Sequence, residues 1–290
     1  MPRPLVVVNG KNGQLGWELF QLTLARENEF EFVFAGREDL DLTDLQTIPV
    51  FFEKNQPAYF INCAAYTAVD KAETEKEQAY IINATAVGVI AEQCKVHHCT
   101  LITISTDYVF NGSGSSPYLI DSLTDPVNYY GYTKLAGEEL ALQHNPATII
   151  IRTSWVYSRH GNNFVKTMLR LMKERNEIKV VNDQVGCPTY AADLAAAILD
   201  IVAGLENGNR SYGVYHYSNT GVISWFDFAI AIRDETGLSC TVLPIPSSAY
   251  PTPAKRPAYS VMDISRIVKD FGLELNSWQK SLHGCLSGQV

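Results

Sequence analysis

The sequence lacks the features that mark a membrane-spanning, secreted or nucleic-acid-binding protein. No apolar run among its 290 residues approaches the length of roughly 20 residues that a membrane helix needs. The apolar stretch at residues 5–8 is too short for a signal peptide and is typical of a buried strand. The net charge of −8 provides no basic excess for binding nucleic acid. We therefore expect a cytoplasmic protein with no membrane or nucleic-acid partner.

Cysteine is sparse and shows no functional spacing. None of the six cysteines forms a Cys-x-x-Cys pair, and no His/Cys group has the spacing of zinc ligands. This pattern favours reduced thiols over disulfides and predicts no metal site. Internal repeats and low-complexity tracts are absent as well, so the chain is suited to one large domain or two unequal ones.

Strand and helix patterns alternate through the first half of the chain. The predicted strands are residues 5–9, 30–35, 58–62, 100–105 and 148–152, and the predicted helices are residues 15–25, 45–54, 72–95 and 133–143. Short apolar strands that alternate with helices indicate an α/β fold with a Rossmann-like, doubly wound parallel sheet covered on both faces.

The second half is less regular. Helical patterns cover residues 163–173, 191–202 and 225–236, and a proline-rich stretch at residues 244–257 predicts a surface loop. We expect a dinucleotide-binding domain at residues 1–155. Residues 156–290 would mainly form a smaller C-terminal substrate-binding lobe, with some segments returning to the first domain.

A glycine-rich turn, Gly10-x-x-Gly13-x-x-Gly16, follows the first strand and opens the first helix. In that context three glycines allow a tight turn, a close approach to a pyrophosphate and helix packing on the strand, while the helix N-terminus faces the phosphates. The alternative is a plain strand-helix turn. The predicted cofactor-binding residues here are Gly10, Asn12, Gly13, Gln14, Leu15 and Gly16.

Cofactor contacts are also expected after the second and third strands. Arg37 stands where an acidic residue would favour NAD, and it can accept a 2′-phosphate or remain a solvated loop residue. Asp41 either faces the adenine or belongs to a turn in which Thr43 or Asp44 caps the next helix. The cofactor is therefore NADPH or NADH, with NADP slightly favoured. The remaining predicted contacts are Leu42 and three small residues after the third strand, Ala64, Ala65 and Thr67.

The predicted catalytic residues are Thr106, Tyr130 and Lys134. Tyr130 and Lys134 are four residues apart, so in a helix both side chains reach one face. Lys134 would hold the nicotinamide ribose and lower the pKa of Tyr130, which would then act as a proton donor to a ketone oxygen. Thr106, at the end of the fourth strand, would hydrogen-bond the same oxygen, and Asp107 would line the site or cap a turn.

These residues carry a family resemblance. The glycine turn and Tyr130-x-x-x-Lys134 resemble the extended short-chain dehydrogenase/reductase superfamily. Longer stretches are similar to its dTDP-4-dehydrorhamnose reductase family, and together they span nearly the whole chain. They are AAYTAVDKAE (residues 64–73), STDYVF (105–110), RTSWVY (152–157), GNNFVKTM (161–168), NDQVGCPT (182–189) and Arg256-Pro257.

The resemblance implies reduction of the C4 ketone of dTDP-4-dehydro-L-rhamnose to dTDP-L-rhamnose by NADPH or NADH. It also implies the roles given above for Thr106, Tyr130 and Lys134, and substrate contacts from Trp155, Asp183, Gln184 and Arg256. Thr106 and Asp107, from the end of the fourth strand, complete the predicted substrate-binding residues. Trp155 would stack on the sugar or, alternatively, fill the core. Related nucleotide-sugar dehydratases carry a glutamate where this chain has Tyr108, so the difference favours plain ketone reduction.

The resemblance leaves assembly and two other functions open. Some family members dimerise through magnesium held by glutamates. Glu18 lies near one such position, but Ala191-Ala192-Asp193 lacks the matching glutamate and residues 286–290 have no carboxylate side chain. We expect no metal, and a monomer or a metal-independent homodimer. The alternative functions are a non-catalytic NADP-binding regulatory subunit of the methionine adenosyltransferase type, or a reductase or epimerase of another nucleotide sugar.

Overall fold

The computed structural model describes residues 3–24 and 29–287. Its strands are β1 (Leu5–Asn9), β2 (Glu31–Ala35), β3 (Tyr59–Asn62), β4 (Thr100–Thr106), β5 (Thr148–Thr153), β6 (Val156–Tyr157), β7 (Glu177–Val181), β8 (Val185–Gly186), β9 (Thr189–Tyr190), β10 (Gly213–Tyr217), β11 (Ile223–Ser224) and β12 (Thr241–Ile245). Its α-helices are α1 (Gln14–Thr23), α2 (Thr47–Asn55), α3 (Val69–Ala72), α4 (Lys76–Tyr80), α5 (Ala86–Val96), α6 (Tyr129–His144), α7 (Phe164–Glu174), α8 (Ala191–Glu206), α9 (Trp225–Thr236), α10 (Ser265–Phe271) and α11 (Trp278–Leu286).

Six parallel strands form the central sheet, in the order β10-β5-β4-β3-β1-β2. Because side chains alternate along a strand, the apolar residues of β1 pack into the core on both faces of the sheet. Val6 and Val8 pack with α1 and α8, and Val7 packs with α2 and α5. This arrangement confirms the predicted doubly wound parallel sheet covered on both faces.

The strand order places a topological switch point between β1 and β3. Strand β1 pairs with β2 on one side and with β3 on the other, so the connections that leave β1 and β3 diverge there. In open α/β sheets, ligands bind at such a point, beyond the carboxyl ends of the strands. The residues that follow Asn9 and Asn62 therefore face the expected ligand cleft.

The C-terminal half builds a second cluster of apolar side chains, contributed mainly by α7, α9 and α11. Three two-stranded sheets, β11-β8, β12-β7 and β6-β9, accompany it. Two elements of this half belong to the large sheet: β10 pairs with β5, and α8 packs against α1. The division at residue 155 stays a prediction.

Several predicted helix boundaries differ from the structure. Instead of one helix at residues 72–95, α3 ends at Ala72 and a second helical run extends from α4 to α5 through a π-helical turn, Ile81–Thr85. Helix α6 begins at Tyr129 rather than at residue 133, because the Asn128 side chain accepts the Gly131 N–H and caps it. The predicted helix at residues 15–25 is α1, and residue 25 lies outside the described residues.

The predicted helix cap at Thr43 or Asp44 is wrong. The Asp41 carboxylate accepts the Thr43 N–H at 2.9 Å and forms a separate turn, and α2 begins later, at Thr47. The proline-rich stretch is a surface loop in part: its first two residues, Pro244 and Ile245, end strand β12. Proline is tolerated there because β12 pairs on one side, with β7.

No helix in the described part of the chain is long and apolar enough to cross a membrane.

Candidate active site

The glycine-rich turn lies at the carboxyl end of β1 and leads into α1. Gly10 has φ +71°, and a Cβ there would lie 2.7 Å from the Ala64 nitrogen. A Cβ on Gly16 would lie 2.3 Å from the Gly10 carbonyl oxygen. These two positions therefore require glycine for the turn itself and for helix packing, as the sequence predicts.

The open side of the turn can accept phosphates. Gly13 is exposed, and a Cβ there would meet one atom, the Gly10 oxygen, at 3.3 Å. It is the N-cap of α1 and makes no side-chain cap, so backbone N–H groups of the first helical turn are left to bind an anion. Asn12 is exposed at the same turn, whereas the Leu15 side chain is buried in the core and leaves its backbone to face a ligand.

A segment of the C-terminal half fastens onto this turn. The Gln14 side chain accepts a hydrogen bond from Asn163 Nδ2 at 2.9 Å, and His160 Nε2 lies 3.1 Å from the Asn12 carbonyl oxygen. The His160 ring also stacks on Trp17, with centroids 5.2 Å apart. No pattern in the sequence predicts these contacts, because the partners are separated by almost half of the chain.

At the carboxyl end of β2, two cations lie beside the turn. Arg37 is exposed and its Nε donates to Asp41 at 3.1 Å. Lys11 was not predicted from the sequence, yet its Nζ lies 2.8 Å from Glu38 and 2.9 Å from Asp39. Both cations are thus held by acidic side chains of the loop after β2, beside the glycine-rich turn. Leu42 is buried in the core and can offer its backbone.

The loop after β3, which carries Ala64, Ala65 and Thr67, is fixed by two buried asparagines. Asn9 Oδ1 accepts the N–H groups of Cys63 and Ala64 at 2.9 and 3.2 Å. Asn83, in the π-helical turn, bonds both the N–H and the carbonyl of Tyr66, and its Nδ2 also donates to Thr133 on α6 at 3.0 Å. The two asparagines therefore position the loop against β1 on one side and α6 on the other.

Thr106 and Tyr130 converge at the end of β4, as predicted. Thr106 is the last residue of β4, and Tyr130 is in the first turn of α6. The Thr106 hydroxyl lies close enough to hydrogen-bond the phenol and to oppose the rise in its pKa. The Tyr108 ring packs edge-on against the Tyr130 ring, with ring centroids 5.7 Å apart, so Tyr108 lines the same site.

Gly131 makes this convergence possible. A Cβ at Gly131 would lie 2.1 Å from the Tyr108 carbonyl oxygen. Glycine therefore lets the first turn of α6 touch the backbone that follows β4, which brings the Tyr130 side chain to Thr106. Sequence reasoning did not single out Gly131, although it stands between the two tyrosines of the motif.

The prediction that Lys134 lowers the pKa of Tyr130 is wrong for this structure. Burial raises the pKa of Tyr130 to about 12. The Thr106 hydroxyl opposes this rise in part, and the charge of Asp107 adds a smaller increase. The Lys134 ammonium group donates instead to the Ile104 carbonyl oxygen at 2.7 Å. Burial lowers the pKa of Lys134 to about 8, and the charge of Glu138 partly offsets it.

Asp107 is buried directly behind Thr106. Its Oδ1 accepts the Thr106 hydroxyl at 3.0 Å. Burial raises the pKa of Asp107 to about 6, although the hydroxyls of Ser260 and Thr106 work in the opposite direction. Asp107 thus orients Thr106, and the predicted turn cap is made by Thr106 itself, whose oxygen accepts the Tyr108 N–H at 3.2 Å.

Trp155 stands in an unusual backbone conformation after β5. Its φ of 50° lies in the left-handed region, which is rare for a bulky residue and is concentrated at functional sites. The indole is half-buried and stacks on Trp225 with centroids 3.6 Å apart. A Cβ on Gly186 would lie 2.8 Å from the ring, so this glycine makes room for it.

Asp183 and Gln184 both bond Ser247. Asp183 is exposed and accepts the Ser247 N–H at 2.9 Å, while Gln184 Nε2 donates to the Ser247 hydroxyl at 2.9 Å. These bonds tie the turn after β7 to the segment after β12. Substrate binding by Asp183 and Gln184 stays a prediction.

Arg256 reaches back to the first half of the chain. Its guanidinium makes a two-pronged ion pair with Asp70, including Nη2 to Oδ2 at 2.8 Å. Asp70 also accepts the Ala254 N–H at 3.0 Å, and Asn128 donates to the Lys255 carbonyl at 2.8 Å. The segment around Arg256 is therefore held over α3 and the start of α6, and the Arg256 charge faces Tyr108.

Glu18, the acidic residue that lies near a metal-binding position of the family, makes a hydrogen bond within the protein. Glu18 is buried and accepts the Ser158 hydroxyl at 2.6 Å. Among residues 3–24 and 29–287, no group of three or more His, Cys, Asp or Glu side chains could hold a metal ion. The prediction of a metal-independent protein also used the C-terminal residues 286–290. Of these, residues 288–290 lie outside the described residues.

Comparison with known proteins agrees with this geometry. A sequence model described as RmlD substrate binding domain matches residues 4–289. The dTDP-4-dehydrorhamnose reductase of Aggregatibacter actinomycetemcomitans is 39% identical over 284 residues, which cover 96% of each chain. The spore coat polysaccharide biosynthesis protein SpsK of Bacillus subtilis is 38% identical over 277 residues, covering 96% of this chain and 95% of that protein.

A solved structure gives the same result. The dTDP-4-dehydrorhamnose reductase from Bacillus anthracis, crystallised in complex with NADP, matches with a TM-score of 0.92 and 38% identity over 99% of each chain. Together, the parallel sheet, the glycine turn and the Thr106, Tyr130 and Lys134 group define a nicotinamide-dependent oxidoreductase of the short-chain dehydrogenase type. The chain belongs to the dTDP-4-dehydrorhamnose reductase family.

Proposed function

We propose that this protein reduces the C4 ketone of dTDP-4-dehydro-L-rhamnose to give dTDP-L-rhamnose, as part of dTDP-rhamnose biosynthesis. The observation that carries the proposal is the convergence of Thr106 and Tyr130 at the end of β4, with Lys134 one helical turn further along α6. Bound NADPH or NADH supplies the hydride. The glycine turn and the first turn of α1 would hold its pyrophosphate.

Tyr130 is the proton donor in this proposal. A phenol whose pKa is raised to about 12 stays protonated near neutral pH, which is the state that ketone reduction requires. When substrate is bound, Thr106 would turn its one hydroxyl proton from Asp107 to the same substrate oxygen and stabilise the charge that develops there. Lys134 would hold the ribose and add positive charge nearby.

The substrate would lie between the two halves of the chain. Trp155, supported by Trp225, offers an indole surface for the sugar. Arg256 offers a guanidinium for the diphosphate, and its pair with Asp70 would hold it in place or exchange for the substrate. Asp183 and Gln184 would complete the nucleotide-sugar contacts from the turn after β7.

A direct assay tests the proposal. The purified protein is mixed with dTDP-4-dehydro-L-rhamnose and either NADPH or NADH, and the loss of nicotinamide absorbance is followed together with the formation of dTDP-L-rhamnose. We expect stoichiometric conversion. Cofactor binding without turnover would contradict the proposal and support the regulatory-subunit alternative, and turnover of a different dTDP- or UDP-4-keto sugar alone would support the other-sugar alternative.

We also propose that Arg37 and Lys11 read the 2′-phosphate of NADPH. Arg37→Ala and Lys11→Ala should each raise the KM for NADPH by about tenfold and leave the KM for NADH nearly unchanged, because a charge-assisted phosphate contact would be lost. Steady-state kinetics with both cofactors measures the difference. Arg170→Ala is the matched control, since Arg170 is an exposed arginine paired with Glu174 on α7. Equal effects on the two cofactors would refute the phosphate contact.

The proposal includes a cytoplasmic location and either a monomer or a metal-independent homodimer. All six cysteines are unpaired, which suits a reducing compartment. Sedimentation in the presence and absence of a chelator measures the assembly, and dissociation caused by the chelator would contradict metal independence.

A further inference from the structure

A buried ion pair lies behind the catalytic residues. Glu138 and Arg152 are each about 4% exposed. Arg152 Nη2 donates to Glu138 Oε2 at 2.6 Å, and Arg152 Nε lies 3.0 and 3.1 Å from the two carboxylate oxygens. The Ser105 hydroxyl donates to the same carboxylate. Removing such a pair of charges from water costs free energy, so a buried ion pair by itself adds little to the stability of the fold. A role in the nearby site would explain why the pair lies here.

The pair joins the elements that carry the reactive side chains. Ser105 precedes Thr106 on β4 and faces Arg152 on β5 in the sheet register. Glu138 is on α6, four residues beyond Lys134 and on the same face of the helix. The network therefore fixes α6 to the carboxyl ends of β4 and β5 immediately behind Thr106 and Lys134.

We propose that Glu138 is a positioning residue that acts through Lys134, keeping its buried ammonium group charged and directed to the end of β4. Arg152 makes this possible by holding the Glu138 carboxylate as an anion in a buried place. The proposal deepens the reductase function proposed above, because Lys134 is useful to that reaction in its charged form.

The electrostatics agree with this geometry. Burial is the main influence on Lys134 and lowers its pKa to about 8, while the Glu138 carboxylate raises it. Other charged or titratable groups around this end of the sheet include Tyr130, Asp107, Tyr108, Arg152, His216, Arg256, Asp70, Asp263 and Cys187. Without the Glu138 charge, Lys134 would lose its proton at a lower pH.

The test replaces both partners, since Glu138→Gln alone leaves Arg152 buried without its anion and can prevent folding. In the double variant Glu138→Gln/Arg152→Gln, the Lys134 ammonium is titrated by NMR of lysine labelled with ¹³C at Cε, with the signal assigned by Lys134→Met. We expect the midpoint to fall relative to the unaltered protein, because the Glu138 carboxylate raises the pKa of Lys134 and Arg152 is not among the groups that shift it. The alkaline limb of the pH profile of kcat/KM should move by the same amount.

The control is Arg170→Gln/Glu174→Gln, which removes an exposed ion pair on α7 and should change neither readout. An unchanged Lys134 midpoint in a folded double variant would overturn the proposal, and so would a shifted midpoint with an unshifted rate profile. The NMR titration needs no sugar substrate. If the unaltered protein failed to reduce dTDP-4-dehydro-L-rhamnose, the proposed function would fall while the midpoint still reported on Glu138 and Lys134.

Discussion

Replacing Tyr130 with phenylalanine should lower kcat by roughly 10²–10⁴-fold, the usual contribution of a positioned general acid. The phenol is buried and its pKa is raised to about 12, so it carries a proton at neutral pH. Phenylalanine keeps the ring that packs against Tyr108 and removes the proton. Affinity for NADPH, measured by fluorescence titration, should fall by no more than about tenfold, because a ring of the same shape remains and one neutral hydrogen bond is lost at most.

The same helix offers a matched control. Tyr132 is two residues away on α6 and is 48% exposed, so Tyr132→Phe removes a phenol from the opposite side of the helix. It should leave kcat unchanged. Substantial turnover by Tyr130→Phe would show that another group protonates the substrate oxygen, and Thr106 would then be the nearest candidate. A loss of activity in both variants would indicate general damage to α6 rather than loss of a proton donor.

Features that depend on local sequence were predictable. Three such features are the alternation of strands and helices, the glycine turn and the Tyr130–Lys134 spacing. Each depends on a short stretch of sequence, where periodicity and turn chemistry determine the structure. Gly10 and Gly16 have the roles that the fingerprint implies, because their contacts are with the turn itself or with the loop of the neighbouring strand. The same applies to α9, whose predicted bounds agree with the structure and which begins with a capping box at Ser224.

Features that depend on tertiary contacts were not predictable. Gly131 is needed because α6 touches the Tyr108 carbonyl, and Asn83 matters because a π-helical turn brings it between Tyr66 and Thr133. The ion pair of Asp70 and Arg256 joins residues 186 positions apart. Nothing in a single sequence marks such distant partners.

The pKa of Tyr130 likewise depends on local sequence in one respect and on tertiary structure in another. Sequence spacing correctly placed Lys134 on the face of α6 that carries Tyr130, and it predicted a lowered phenol pKa from that proximity. The outcome depends on burial, which a spacing does not reveal, and burial raises the pKa instead. Since the reducing direction needs a protonated phenol, the raised pKa suits the proposed role of Tyr130 as an acid.

Replacing Lys134 with methionine should weaken both catalysis and cofactor binding. The ammonium is buried, and methionine has a similar length without the charge. Loss of a charged hydrogen bond to the ribose would reduce NADPH affinity by about 10- to 100-fold, and kcat should fall by at least about 10²-fold as the positive charge near the substrate disappears. The fold should survive, because removing a buried ammonium ends its desolvation cost, although the Ile104 carbonyl loses its 2.7 Å donor.

Cofactor titration and steady-state kinetics measure both effects of Lys134→Met, and Lys166→Met is the matched control, since Lys166 is exposed on α7. The pH dependence gives an independent check. Because the pKa of Lys134 lies at about 8, the unaltered protein should lose NADPH affinity as the pH rises through that value, and Lys134→Met should show no such loss. An unchanged cofactor affinity in Lys134→Met would remove the ribose contact from the mechanism and leave Lys134 acting through charge alone.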